Sequence, residues 1–224
     1  MKLTSVSSLA DIDPHEWNAL TTAANPFIEY DFLRALEQHG CLQSWGWEPN
    51  YLVAIEDNEL VGASPAYIKH NSYVEFVFDW AWADAYQRNG QPYYPKLVIA
   101  APFTPATGPR LLTRPGSQPA VIQQNQIQAA VEVVADNHLS TAHWLFCNDD
   151  DRALLQHEGM LMRSDFQYHW SNHDYENFEH FLAQLSSKKR KNIKRERKIV
   201  AEADITTEII HGDDLSEQQW NLLY

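Results

Sequence analysis

With 224 residues, 44% of them apolar and 12% aromatic, the chain can bury the core of one large or two small domains, which excludes a disordered segment. A net charge of −13 excludes general binding to DNA, because most of the surface would repel a duplex. Cys41 and Cys147 lie far apart and form no CxxC, and residues 1–13 hold no apolar run fit for a signal peptide or a membrane span, so a reducing, cytoplasmic setting is expected.

Asp13-Pro14-His15-Glu16 carries an N-cap residue, a proline at the first helical position and an early glutamate, which starts a helix. Asn25-Pro26-Phe27 breaks it. A second helix is expected from Tyr30 to His39, with Phe32, Leu33 and Leu36 inward and Gly40 as its stop. Residues 51–55 and 60–63, joined by Glu56-Asp57-Asn58-Glu59, read as a hairpin. Residues 76–78 and 96–100 read as strands, separated by a short aromatic helix through Trp80, Trp82 and Tyr86.

After a proline-rich turn at 103–110, a long helix is expected from Pro119 to His138, with Val121, Ile122, Ile127, Ala130, Val131 and Val134 on one side. A strand over 142–146, a short helix capped by Asp149 or Asp150, and a strand over 162–170 follow. This order predicts a mixed α/β sheet flanked by helices, forming a first domain over 1–170. From Tyr175 the pattern restarts, with a helix through Phe178, Phe181, Leu182 and Leu185, a basic helix, a strand over 203–210 and a helix capped by Asp214 or Ser216. Residues 171–224 thus read as the start of a second domain, cut off in mid-helix.

The basic helix concentrates charge. Residues 186–198 hold eight of the 17 basic residues and one of the 30 acidic ones, so they carry +7 while the rest of the chain carries −20. Ser186 suits an N-cap, and Ile193, Ile199 and Val200 give the helix a narrow apolar stripe. Lys189, Arg190, Lys194 and Arg195 are therefore candidates for binding a polyanion or a phosphate. Pairing with the acidic remainder of the chain is the competing reading.

Other candidates come from residue type. Asp79, Trp80, Trp82, Asp84 and Tyr86 combine carboxylates with large aromatic rings, a set that suits a sugar or peptide pocket with Asp79 or Asp84 as general base. A helix start with Asp79 as N-cap and the tryptophans as core explains the same residues. Lys96 and Arg110 could bind a carboxylate or a phosphate, or could be surface cations. His169 and His173 lie four apart but leave a strand, so no metal site is expected. No motif for covalent catalysis or ATP hydrolysis occurs.

The stretches Phe76–Tyr86, Tyr93–Leu97, Pro102–Leu112 and Lys189–Glu196 closely resemble a bacterial family of FemAB-like, GNAT-type N-acetyltransferases described as peptidoglycan biosynthesis proteins. The resemblance implies a GNAT-like fold with the start of a second GNAT-like domain. It implies acyl or aminoacyl transfer to an amine acceptor such as a cell-wall precursor, with acetyl-CoA, another acyl-CoA or an aminoacyl-tRNA as donor. A binding module for a cell-wall precursor, an acylated carrier or a tRNA acceptor stem is the alternative. An acetyl-CoA turn in such folds gives backbone amides to the pyrophosphate. The turn set against it here, Thr104–Arg110, has one glycine and two prolines and is a poor amide nest; its ends, Thr104 and Arg110, remain candidate substrate contacts.

Overall fold

The computed structural model describes residues 1–21, 25–77, 79–166 and 168–223. Strand β1 (Lys2–Val6) leads to helix α1 (Pro14–Asn18), whose first amides are held by Asp13: Oδ1 accepts from His15 N at 2.8 Å and Glu16 N at 3.2 Å. A 3₁₀ turn at Pro26–Ile28 precedes α2 (Tyr30–Gln38), which buries Leu33 and ends before the left-handed Gly40 (φ 67°).

Next come β2 (Trp47–Pro49), β3 (Tyr51–Glu56), β4 (Glu59–Ser64) and β5 (Ala66–Lys69). The β3–β4 hairpin closes through Asp57 and Asn58, both left-handed (φ 51° and 66°), as a two-residue turn of primed type requires and as these residue types tolerate. Helix α3 (Trp80–Arg88), β6 (Lys96–Ile99), β7 (Leu112–Thr113), α4 (Pro119–Asp136), β8 (Ala142–Trp144) and α5 (Asp149–His157) complete this part of the chain.

The strands form two four-stranded sheets, ordered β1-β3-β4-β7 and β2-β5-β6-β8. All pairs are antiparallel except β6–β8. The sheets meet at Asn50 and Pro65, where the two long strands bend. Asn50 N still donates to Ala66 O at 2.9 Å, but Pro65 has no amide for the ladder, and its carbonyl accepts from Ala100 N at 3.0 Å instead.

Alternation along the strands sends Tyr51 and Val53 into a core with Trp17, Leu33, Trp47 and Tyr67, and sends Leu52 to a second cluster under α4 with Leu97, Ile99 and Ala130. The aromatic rings of the first core meet edge to face, Trp17–Tyr51 at 5.7 Å and Tyr51–Tyr67 at 5.3 Å. Helix α4 lies close on the sheet at Gly62, where an added Cβ would sit 2.5 Å from Ile122 Cγ2.

Several expectations differ. The long helix buries Ile122, Gln126, Ile127 and Ala130, whereas Val121 and Val131 face solvent. Gln126 is tolerated because its Nε2 donates to Leu112 O at 3.0 Å. Helix α5 is capped by Asn148, not by Asp149 or Asp150. Residues 76 and 77 form no strand: Phe76 is left-handed (φ 57°), which breaks the extended path, and Phe78 lies outside the described residues. Residues 162–166 and 168–170 are also irregular, with Phe166 and Tyr168 exposed; Gln167 is not described.

The chain divides into two compact units, Met1–Ser164 and Asp165–Tyr224. The second contains α6 (Phe178–Ala183), α7 (Ser187–Ala201), a 3₁₀ turn and α8 (Glu217–Leu223), whose start is held by Ser216 Oγ accepting from Gln219 N at 3.3 Å. Residues 203–210 are not a strand. Their alternation has no sheet edge to pair with among the described residues of this unit, and Ile205 and Ile209 are exposed.

Candidate functional site

Lys96 opens β6 directly across from Lys69 on β5, both fully buried. Like charges facing across a ladder repel, so each needs its own oxygens. Lys69 Nζ donates to Trp45 O, Asn71 O and Asn71 Oδ1 at 2.7–2.8 Å and lies 5.1 Å from the Trp47 ring centre. Burial lowers its pKa to about 8, against the opposing charge of Glu75.

Lys96 Nζ stands between two carboxylates, 2.7 Å from Asp79 Oδ2 and 2.9 Å from Glu75 Oε2. It also lies over the rings of Tyr93 and Tyr94, at 4.7 and 5.0 Å. The Tyr93 hydroxyl donates to Asp79 Oδ2 at 2.6 Å. All three charged side chains are at most 1% exposed.

The two carboxyls differ in environment. Burial would raise Asp79, but hydrogen bonds from Lys96 and Tyr93, with the Lys96 charge, outweigh it and hold the group below the usual carboxylate range. Glu75 has its contact with Lys96 out of hydrogen-bond alignment, and Oε1 has no aligned donor among the described residues. Burial therefore dominates and pushes Glu75 up. Two neighbouring carboxyls with pKa values driven apart are the arrangement from which acid and base roles are assembled. His143, on β8, puts its ring 6.1 Å from that of Tyr93; burial, aided by Lys96, lowers its pKa to about 4 and keeps it neutral at pH 7.

Glu75 is held between two left-handed residues, Val74 (φ 55°) and Phe76 (φ 57°). A β-branched or bulky residue in this region is rare, and such strain gathers at functional sites. Nothing in the residue pattern singled Glu75 out. The available signal was a carboxylate four residues before Asp79, in a run of apolar and aromatic residues.

The remaining candidates divide by position. Asp79 sits at the N-cap position of α3, where its carbonyl accepts from Trp82 N and Ala83 N, but its side chain makes no cap hydrogen bond because the carboxylate is turned to Lys96 and Tyr93. Trp80 and Trp82 are 66% and 52% exposed on α3, outside the core, and Tyr86 packs on Tyr93 at 5.1 Å. Asp84 lies on the surface, 3.1 Å from Arg88. The cluster thus brings together Asp79, Tyr86 and Lys96, roofed by a helix that carries the two tryptophans.

Arg110 is remote from this cluster in its bonding. It is fully buried, and its guanidinium donates to Leu145 O, Pro109 O and Ala106 O at 2.7–2.9 Å. Its amide and that of Leu111 go to Asp151 Oδ2. Within Thr104–Arg110, Thr104 N bonds Ala101 O, Gly108 N bonds Phe146 O and two residues are prolines, so these amides are directed into the fold. The turn that enters the long helix is Arg114–Gln118, after β7, and not Thr104–Arg110. In the second unit, Lys194 pairs with Glu179 at 2.6 Å and Arg190 donates to Leu185 O at 3.1 Å, whereas Lys189 and Arg195 are exposed.

Comparison with solved structures finds similarity to an aminoglycoside 6′-N-acetyltransferase from Acinetobacter haemolyticus. The two are 12% identical, with 78% of this chain and 100% of that one covered and a TM-score of 0.46. A ribosomal-protein-alanine N-acetyltransferase from Brucella melitensis biovar Abortus 2308 is 14% identical over 77% of this chain and 99% of that one, with a TM-score of 0.44. No curated protein matches the sequence. The FemAB-like family model, described as peptidoglycan biosynthesis/recognition, matches residues 8–224, and the chain belongs to this family.

Proposed function

We propose that the chain takes part in acyl or aminoacyl transfer to an amine of a cell-wall precursor, with Glu75 as the group that removes the amine proton. The observation that carries this reading is the pair Glu75 and Asp79 on one Lys96 ammonium, in a FemAB-like chain. A protonated amine must lose a proton before it attacks an acyl carbon. The new C–N bond then forms as the bond to the leaving oxygen or sulfur breaks, and the proton ends on the leaving group or in solvent. Glu75, whose Oε1 has no aligned donor among the described residues, is the less firmly held of the two carboxylates and the one suited to this work; Asp79 is held by Lys96 and Tyr93 and fixes the ammonium.

The donor is an aminoacyl-tRNA or an acyl-CoA. The test is amide formation by the chain on a muropeptide precursor, with each donor in turn. Glu75→Gln should reduce the rate by about 10²–10⁴ while leaving the melting temperature intact; an unchanged rate would remove Glu75 from the reaction.

A second reading is recognition without turnover. Trp80 and Trp82 are exposed on the roof while the carboxylates beneath are closed off. In that case Trp80→Ala with Trp82→Ala abolishes precursor binding, and Glu75→Gln changes nothing.

A further inference from the structure

Helix α7 has two faces of different character. On the inner face Arg190 donates to Leu185 O, Lys194 pairs with Glu179, and the Arg197 guanidinium lies 4.4 Å from the Phe178 ring centre, so these three cations are used within the unit. Ile193, on the same side, is half-buried. The outer face carries Lys188, Lys191, Arg195 and Lys198, spaced by three or four residues, so the four stand in one row about 15 Å long. All four are exposed. Lys198 shares Glu202 at 3.5 Å, and Lys188, Lys191 and Arg195 have no ion-pair partner among the described residues. Ile199 follows Arg195 by four residues and therefore continues the same row, 58% exposed.

We infer that this outer face docks on an anionic lipid surface. Charge complementarity carries this: residues 186–198 hold +7 and the rest of the chain −20, so an anionic bilayer attracts this helix and on balance repels the remainder. Ile199 selects the partner. A nucleic acid would attract the same cations, but it offers an exposed branched aliphatic side chain nothing to bury against. The row also has no aromatic side chain on which a base could stack. A bilayer surface accepts both, with cations at the headgroups and the aliphatic group beneath them. The inference uses only the second unit and is independent of the transfer chemistry proposed above.

The experiment is co-sedimentation of the full chain with vesicles of phosphatidylcholine alone or with roughly a third of phosphatidylglycerol, at low salt. Binding is expected only to the anionic vesicles, falling as salt rises. Lys188→Gln, Lys191→Gln and Arg195→Gln together should weaken it roughly hundredfold, at about fivefold per cation. The charge-conserving set Lys188→Arg, Lys191→Arg and Arg195→Lys should keep it, and circular dichroism reads whether each variant folds. Ile199→Ser should weaken binding severalfold without changing its salt dependence. Equal affinity for the two vesicle types overturns the inference. So does tighter binding to mixed-sequence RNA than to anionic vesicles with Ile199→Ser without effect, which would assign the row to a nucleic acid.

Discussion

Lys96 shows how much one buried charge decides. It neutralises part of two carboxylates that have no other ion-pair partner among the described residues, so Lys96→Met leaves both uncompensated and should cost about 3–5 kcal/mol in chemical denaturation. Glu75→Gln removes one of the two charges and should cost far less. Equal losses for the two variants would mean that Glu75 is held as firmly as Asp79. His143 gives a pH test. Its folded pKa of about 4 lies below the ordinary 6.5, so between these values the unfolded chain binds more protons and stability falls as pH drops. Glu75, raised on folding, acts in the opposite sense: its contribution is present at low pH and is lost as pH rises through its folded value. The melting temperature of His143→Asn should accordingly fall less than that of the parent between pH 6.5 and 4. Lys96 and Asp79 were legible from residue type; Glu75 was not, because its significance comes from a buried neighbour 21 positions further along the chain.

At the scale of elements, the local chemistry was readable wherever it satisfied itself. Asp13-Pro14 started α1, Asp57-Asn58 closed the hairpin and Gly40 ended α2, each by a backbone rule that needs no distant partner. Three expected strands are not found among the described residues: Phe76 is left-handed, residues 162–166 and 168–170 are irregular, and the alternation over 203–210 has no described strand of its unit to pair with. The cap of α5 was misplaced, since Asn148 accepts from Asp151 N at 2.9 Å; Asp149 and Asp150 fill the first turn, and Asp151 turns inward to the amides of Arg110 and Leu111. Asn148→Ala should cost about 1 kcal/mol in a urea melt, whereas Asp150→Ala should be nearly silent. At Gly62, alanine would meet Ile122 and Gln126 of α4, and a loss of about 1–3 kcal/mol is expected.

For the molecule as a whole, composition and element order were enough to expect mixed α/β architecture, and the two sheets with their covering helices have it. The bend at Asn50 and Pro65 was not foreseen, because a proline in a strand run marks an interruption without saying that both halves continue into different sheets. We propose that the two compact units are separate domains. Mild proteolysis should then cut first in the exposed, irregular residues 161–166 and 168–174 and leave a protected fragment ending near residue 160; early cleavage within 47–69 would contradict it. In the proposed reaction a buried carboxylate on Lys96 serves amide formation on a cell-wall amine. The most direct measurement is the pH profile of aminoacyl transfer to a muropeptide precursor by the parent chain and by Glu75→Gln. With Glu75 as the base, the parent's rate should rise with pH as a group titrating above the ordinary carboxylate range gives up its proton, and Glu75→Gln should fold but lose both the rate and that rise. An unaltered profile in a folded Glu75→Gln would contradict it.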